Sequence, residues 1–290
     1  MFSGSGVAIV TPYKNGEIDF DAFGELIAFH LDNDTQALIV LGTTGESATQ
    51  ACEERDKLIS FAVEKVDGKI PVIVGTGFNC TAKSIKHTKK AEELGADGIL
   101  LVSPYYNKAT QKGLIEHYTK IANSTKLPVI LYNVPGRTGI NIEPETVATL
   151  AKVSNIIAVK EASGDISQII EVKRLVPELF KIYSGNDDQV VPIYACGGSG
   201  VISVSANVIP SEMQEMCKKF EEGDLKGALK LQLKYNKLVS LLFIEVNPIP
   251  VKSALNLMQL IENEIRLPLT IMEDENVVKL KEEMEKLNII

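Results

Sequence analysis

At 290 residues, the chain is long enough to bury a large core and is about the size of one (β/α)8 barrel with a small extension. Its hydrophobic content of 45% with 23% charged residues is that of a globular protein, and no apolar run approaches the roughly 20 residues a membrane helix requires. The net charge of −8 and pI near 5.1 speak against a nucleic-acid partner, because neutralising phosphates takes clustered Lys and Arg; small molecules are the expected partners.

In chain order, Met1-Phe2-Ser3-Gly4-Ser5-Gly6 lacks the basic region and apolar core of a signal peptide, and the run after it already reads as a strand. A cytoplasmic location is therefore expected. Short β-branched, apolar runs recur at Val7–Val10, Ala37–Leu41, Pro71–Val74, Gly98–Val102, Pro128–Tyr132, Ile156–Val159, Lys181–Tyr183 and Gly200–Val204. Runs such as Val129-Ile130-Leu131 are apolar without alternation, as suits parallel strands covered on both faces. Between them, Glu53–Val66, Thr81–Leu94, Thr110–Ser124, Pro144–Val153 and Ile166–Val176 carry apolar residues at helical spacing.

Strands alternating with helices in this way imply parallel βαβ units, and their number favours a closed barrel over an open doubly wound sheet. After Pro210 only helices follow: Ser211–Glu222, Asp224–Phe243, Lys252–Ile261 and Asp274–Leu287, with Gly223, Pro248, Pro250 and Pro268 as breaks. The expected fold is α/β: a (β/α)8 TIM barrel over residues 1–223 with a small C-terminal helical region over 224–290.

In such a barrel, chemistry gathers where strands end at their C-termini. After the second strand, Gly42-Thr43-Thr44-Gly45-Glu46-Ser47 presents two hydroxyls and several N–H groups ahead of a helix, a cradle for a carboxylate or equally an N-cap and turn. After the fourth, Ser103-Pro104-Tyr105-Tyr106-Asn107 sets two adjacent phenols on a loop, a packing or partner contact in the plainer reading. After the fifth, Tyr132-Asn133-Val134-Pro135-Gly136-Arg137-Thr138-Gly139 puts a phenol at the strand end and a guanidinium beyond it, suited to planar capture of a carboxylate or else a solvated charge. Lys160 ends the sixth strand on the same rim. Desolvation there lowers an ammonium pKa and frees a neutral amine to attack a carbonyl; pairing with Glu161 or another acid at the strand end is the alternative.

The seventh and eighth strands end in Ser184-Gly185-Asn186-Asp187 and Ser203-Val204-Ser205-Ala206-Asn207. Gly197-Gly198-Ser199-Gly200 precedes the eighth strand, so it reads as a turn at the other end of the barrel. Cys52, Cys80, Cys196 and Cys217 lie far apart with no C-x-x-C pair, and read as reduced structural thiols. His30, His87 and His117 fall in stretches that read as amphipathic helices, none spaced as a metal ligand. Neither metal nor cofactor is signalled, and any chemistry must do without histidine.

Together, Gly42-Thr43-Thr44-Gly45-Glu46, Tyr105-Tyr106-Asn107, Tyr132 to Gly139 and Val159-Lys160-Glu161-Ala162, in this order, resemble the dihydrodipicolinate synthases. These are pyruvate-dependent class I aldolases, related to N-acetylneuraminate lyase, and the resemblance covers essentially the whole chain. It implies condensation of pyruvate with L-aspartate-4-semialdehyde to 4-hydroxy-tetrahydrodipicolinate, at the entry to diaminopimelate and lysine biosynthesis. Lys160 would form the pyruvate Schiff base, with Thr43 and Thr44 holding the pyruvate carboxylate. Protons would pass through Tyr132, Thr43 and Tyr106, the last entering a neighbouring subunit's site, so that a homo-oligomer, dimer or tetramer, is implied. Arg137 would bind the semialdehyde carboxylate, and Gly185 and Ile202 match positions lining the pyruvate pocket. The chain departs at Asn186, where a second acid is common. A sister lyase acting on N-acetylneuraminate or a 2-keto-3-deoxy sugar acid is the alternative, and the Gly-Arg-Thr-Gly loop speaks against it. A non-catalytic binding protein on the same barrel is a further one.

The resemblance also bears on regulation. In lysine-inhibited members the effector sits at a subunit interface, and the matching positions are Ser47, Ala48, Cys52, Arg55, Asn79, Lys83 and Tyr105. Cys52 and Arg55 replace two histidines and Lys83 replaces an acid, so insensitivity to lysine is expected.

Overall fold

A computed structural model describes residues 1–290. Eight parallel strands, β1 (Gly4–Ala8), β2 (Ala37–Val40), β3 (Val72–Gly75), β4 (Gly98–Val102), β5 (Val129–Asn133), β6 (Ile156–Glu161), β7 (Lys181–Ser184) and β8 (Gly200–Ser203), close into a barrel in which β1 pairs with both β2 and β8. The helices that follow them are α1 (Phe20–Asp32), α2 (Cys52–Val66), α3 (Thr81–Glu93), α4 (Gln111–Ala122), α5 (Pro144–Leu150), α6 (Ile166–Leu175), α7 (Val190–Ala195) and α8 (Pro210–Glu221). The expected TIM barrel is therefore the observed one.

Side chains alternate along each strand between two apolar layers. Leu38, Val40, Val129, Leu131 and Val159 face the helices in a large outer core. Ala37, Ile39, Leu100, Ile130, Tyr132, Ala158, Tyr183 and Ile202 fill the barrel itself. Phe2 closes the floor, its ring stacked 4.5 Å from that of Tyr183 and its carbonyl accepting from the Tyr183 hydroxyl at 2.7 Å.

Three more helices, α9 (Leu225–Leu241), α10 (Ile249–Leu257) and α11 (Asp274–Lys286), follow. Tyr235, Leu238, Val251, Leu255 and Leu280 belong to the same apolar core as the barrel helices. The segment between α9 and α10 reaches the barrel mouth, where Asn247 meets Thr44. No helix is long and apolar enough to cross a membrane.

The first strand departs from expectation by starting at Gly4 and ending at Ala8. Gly4-Ser5-Gly6 has poor strand propensity, but pairing to β8 on one side and β2 on the other fixes it there. A short hairpin, Tyr13–Lys14 with Glu17–Ile18, and the four-residue helix Pro135–Thr138 carry too little periodicity to be read from sequence. The Gly197–Ser199 stretch lies before β8, at the end opposite the Lys160 rim, as its position in the chain implied.

Candidate active site

Lys160 stands inside the barrel because of the register around it. Val129 pairs with Ile156 but Ile130 with Ala158, a shift that leaves Ile157 unmatched. It brings Ala158 and Lys160 level with the inward Ile130 and Tyr132, while Lys160 also pairs with Tyr183 across β7. The ammonium lies 4.5 Å from the Tyr132 ring centroid, and the residue is only 5% exposed. Burial lowers its pKa to about 8; the Asp187 carboxylate opposes this and the Arg137 guanidinium adds to it. Burial likewise raises the Tyr132 phenol, opposed by Arg137 and the Thr43 hydroxyl.

The threonine pair is set by a strained turn. Leu41 takes a left-handed φ of 59° as the chain leaves β2, and Gly75 on β3 makes room: a Cβ there would collide with the Leu41 carbonyl. Thr44 is buried and accepts a hydrogen bond from Asn247 Nδ2 at 3.0 Å. The turn is pinned from two sides. Gly45 O accepts from Thr11 Oγ1 and Gln50 Nε2, each at 2.8 Å. Glu46 forms a buried ion pair with Lys252, 2.6 Å apart.

Behind the lysine, Asn133 Nδ2 donates to both oxygens of Glu161, at 3.0 and 3.1 Å, and Ser163 N to one of them at 2.8 Å. Glu161 is thus held by its own network, and no ion pair joins it to Lys160. At β7, a Cβ on Gly185 would lie 2.7 Å from Ala162 Cβ and 3.1 Å from Lys160 Cε, so glycine lets the strands close around the amine. Asp187 is buried and takes Val204 N, Ser205 N and Ser205 Oγ on one carboxylate oxygen, at 3.0, 2.7 and 2.8 Å.

Lys160, Tyr132, Thr43, Thr44, Arg137 and Gly185 converge on one cavity of about 130 Å³, walled also by Ile39, Leu100, Val204, Phe243 and Asn247. An outer cavity of about 340 Å³ shares Thr43, Val134, Arg137 and Asn247 with it and extends past Ser47, Ala48 and Tyr105. Arg137 is solvent-exposed at the mouth, its Nη2 donating to Asn247 O at 3.1 Å. Ile202 is fully buried in the barrel interior, with Val204 at the cavity wall instead. Tyr106 is 91% exposed with a φ of 73°, and lines neither cavity.

Asn247 and Phe243 escaped sequence reading, since nothing local marks a C-terminal segment as bound for the barrel mouth. The three histidines are buried on α1, α3 and α4, away from the cavity. Of the cysteines, Cys217 is buried but Cys52 and Cys80 are exposed, so those two are not core thiols.

The surroundings are those of an amine poised to attack a carbonyl beside hydroxyl donors, with a guanidinium at the entrance. The dihydrodipicolinate synthetase family model matches residues 1–287. A 4-hydroxy-tetrahydrodipicolinate synthase of Alkaliphilus oremlandii is 67% identical over the full length of both chains. The crystal structure of a dihydrodipicolinate synthase from Thermotoga maritima superposes with a TM-score of 0.99 at 49% identity, covering all of both chains. One from Acinetobacter baumannii, solved in complex with pyruvate, gives 0.98 at 41% identity, again over the whole of each. The chain belongs to the dihydrodipicolinate synthetase family.

Proposed function

We propose that the protein condenses pyruvate with L-aspartate-4-semialdehyde to 4-hydroxy-tetrahydrodipicolinate, through a Schiff base on Lys160, in the cytoplasm. The neutral amine of Lys160 attacks the pyruvate keto carbon and water leaves, giving an iminium. Loss of a methyl proton gives an enamine, whose carbon attacks the semialdehyde aldehyde and leaves a hydroxyl. The substrate amino group then attacks the iminium carbon, closes the ring and releases Lys160. Thr43 and Thr44 hold the pyruvate carboxylate, Arg137 the semialdehyde carboxylate, and Tyr132, Thr43 and Tyr106 pass protons.

A buried amine set beside Tyr132 and opening into a cavity lined by Thr43 and Thr44 carries this reading. Tyr106 supports a shared site: a bulky residue held in a left-handed conformation and turned out to solvent fits a group delivered to a partner subunit, making the working form a dimer or tetramer. Borohydride reduction in the presence of pyruvate tests the chemistry. We expect inactivation and a reduced pyruvyl adduct mapped to Lys160, lost in Lys160→Ala; an adduct on another lysine, or none, would sink the mechanism.

A further inference from the structure

Asn247 belongs to the C-terminal helical region, yet it is 5% exposed and lines both cavities. Its carboxamide nitrogen donates to Thr44 Oγ1, and its main-chain carbonyl accepts from Arg137. The two groups assigned to the two substrate carboxylates are therefore tied to one residue from outside the barrel. The bond to Thr44 has a direction that matters. With an N–H on one lone pair of the Thr44 oxygen, the hydroxyl proton stays free to be donated to the cavity, the form a carboxylate requires. Asn247 Oδ1 is buried without a protein partner, an arrangement that costs stability.

We infer that Asn247 is a positioning residue that orients the Thr44 hydroxyl as a donor to the pyruvate carboxylate and braces Arg137 through its backbone, so that the C-terminal region completes the site. This rests on the Schiff-base reading above. Because the carboxamide serves Thr44 while the backbone serves Arg137, a side-chain change separates the two substrates.

Steady-state kinetics of the full chain test it with Asn247→Ala, Asn247→Asp, Thr44→Val and the Asn247→Ala/Thr44→Val double variant. Asn247→Ala is expected to raise KM for pyruvate about tenfold, equal to about 1.4 kcal/mol, with KM for the semialdehyde changed less than about twofold. The double variant is expected to lose no more pyruvate affinity than Thr44→Val alone, since the two act through one bond. Asn247→Asp, the same shape, is expected to be worse than alanine, because its carboxylate accepts the Thr44 proton and repels the ligand. It also serves as the check if alanine fails to fold. Additive losses in the double variant, equal rises for both substrates, or an aspartate variant matching wild type would each overturn the inference. The pyruvate–borohydride adduct separates the levels: its absence from wild type overturns the Schiff-base reading, whereas its presence with an unmoved pyruvate KM in Asn247→Ala overturns the positioning role alone.

Discussion

A lysine with pKa near 8 is neutral in about one molecule in ten at pH 7, against about one in three thousand for an ordinary lysine. The gain comes from burial, and the charged neighbours adjust it: Asp187 holds the proton on and Arg137 drives it off. The rate of pyruvate-dependent borohydride trapping is therefore expected to climb with pH through about 8. The inflection should move to lower pH in Asp187→Asn and to higher pH in Arg137→Ala; a pH profile with the opposite order would refute the assignment of these charges. Arg137→Ala should also raise KM for the semialdehyde well above any change for pyruvate. A charge-assisted hydrogen bond contributes about 1.5–3 kcal/mol, and at this exposed rim the lower end applies, about tenfold. Equal losses for both substrates would show Arg137 to be a general support.

The turn between β2 and α2 depends on contacts made by distant elements. Glu46 sits at a left-handed φ of 53°, held by Lys252 from α10 and by the Arg266 backbone N–H, 3.2 Å from its second oxygen. Arg266 in turn pairs with Glu54 on α2 and lies 4.4 Å over the Tyr13 ring. Removing one partner of a buried pair strands the other charge, at a cost of about 3–5 kcal/mol, whereas replacing both by neutral groups recovers much of it. Glu46→Ala and Lys252→Met are thus each expected to lower the urea midpoint sharply, and Glu46→Gln with Lys252→Met to restore most of it. If the double variant unfolds as early as the singles, the pair is not what anchors the turn.

At the scale of the molecule, the outer cavity continues from the site toward Ser47, Ala48 and Tyr105, the region where lysine-inhibited relatives would seat their effector. Here Arg55 is buried, its guanidinium donating to Ser47 O at 3.0 Å and Gly75 O at 2.9 Å. Arg55 and Lys83 lie 5.0 and 4.3 Å over the Phe78 ring. Phe78 lines this cavity, where Arg137 and Arg266 also stand, and its ring is already engaged by both Arg55 and Lys83. A ligand with two ammonium groups is repelled there. Initial rates at sub-saturating pyruvate are expected to stay constant as L-lysine is titrated into the millimolar range; partial or full inhibition would overturn the charge argument.

The barrel was legible because parallel strands covered on both faces must be written as short apolar runs, and eight of these alternate with helical periodicity. Strand order also placed Thr43, Thr44, Tyr132, Arg137, Lys160 and Gly185 on one rim, since the C-terminal ends of parallel strands share a face. What the sequence could not carry was facing. A run such as Ile156-Ile157-Ala158-Val159 is apolar throughout, so nothing in it says which residues point inward; the register shift opposite Ile157 decided that Lys160 lies beside Tyr132. Local chemistry determined which strand ends could be reactive. Only the tertiary structure decided that Asn247, Asp187 and Lys252 meet them, because those contacts join segments as much as 206 residues apart whose encounter depends on how the whole chain packs.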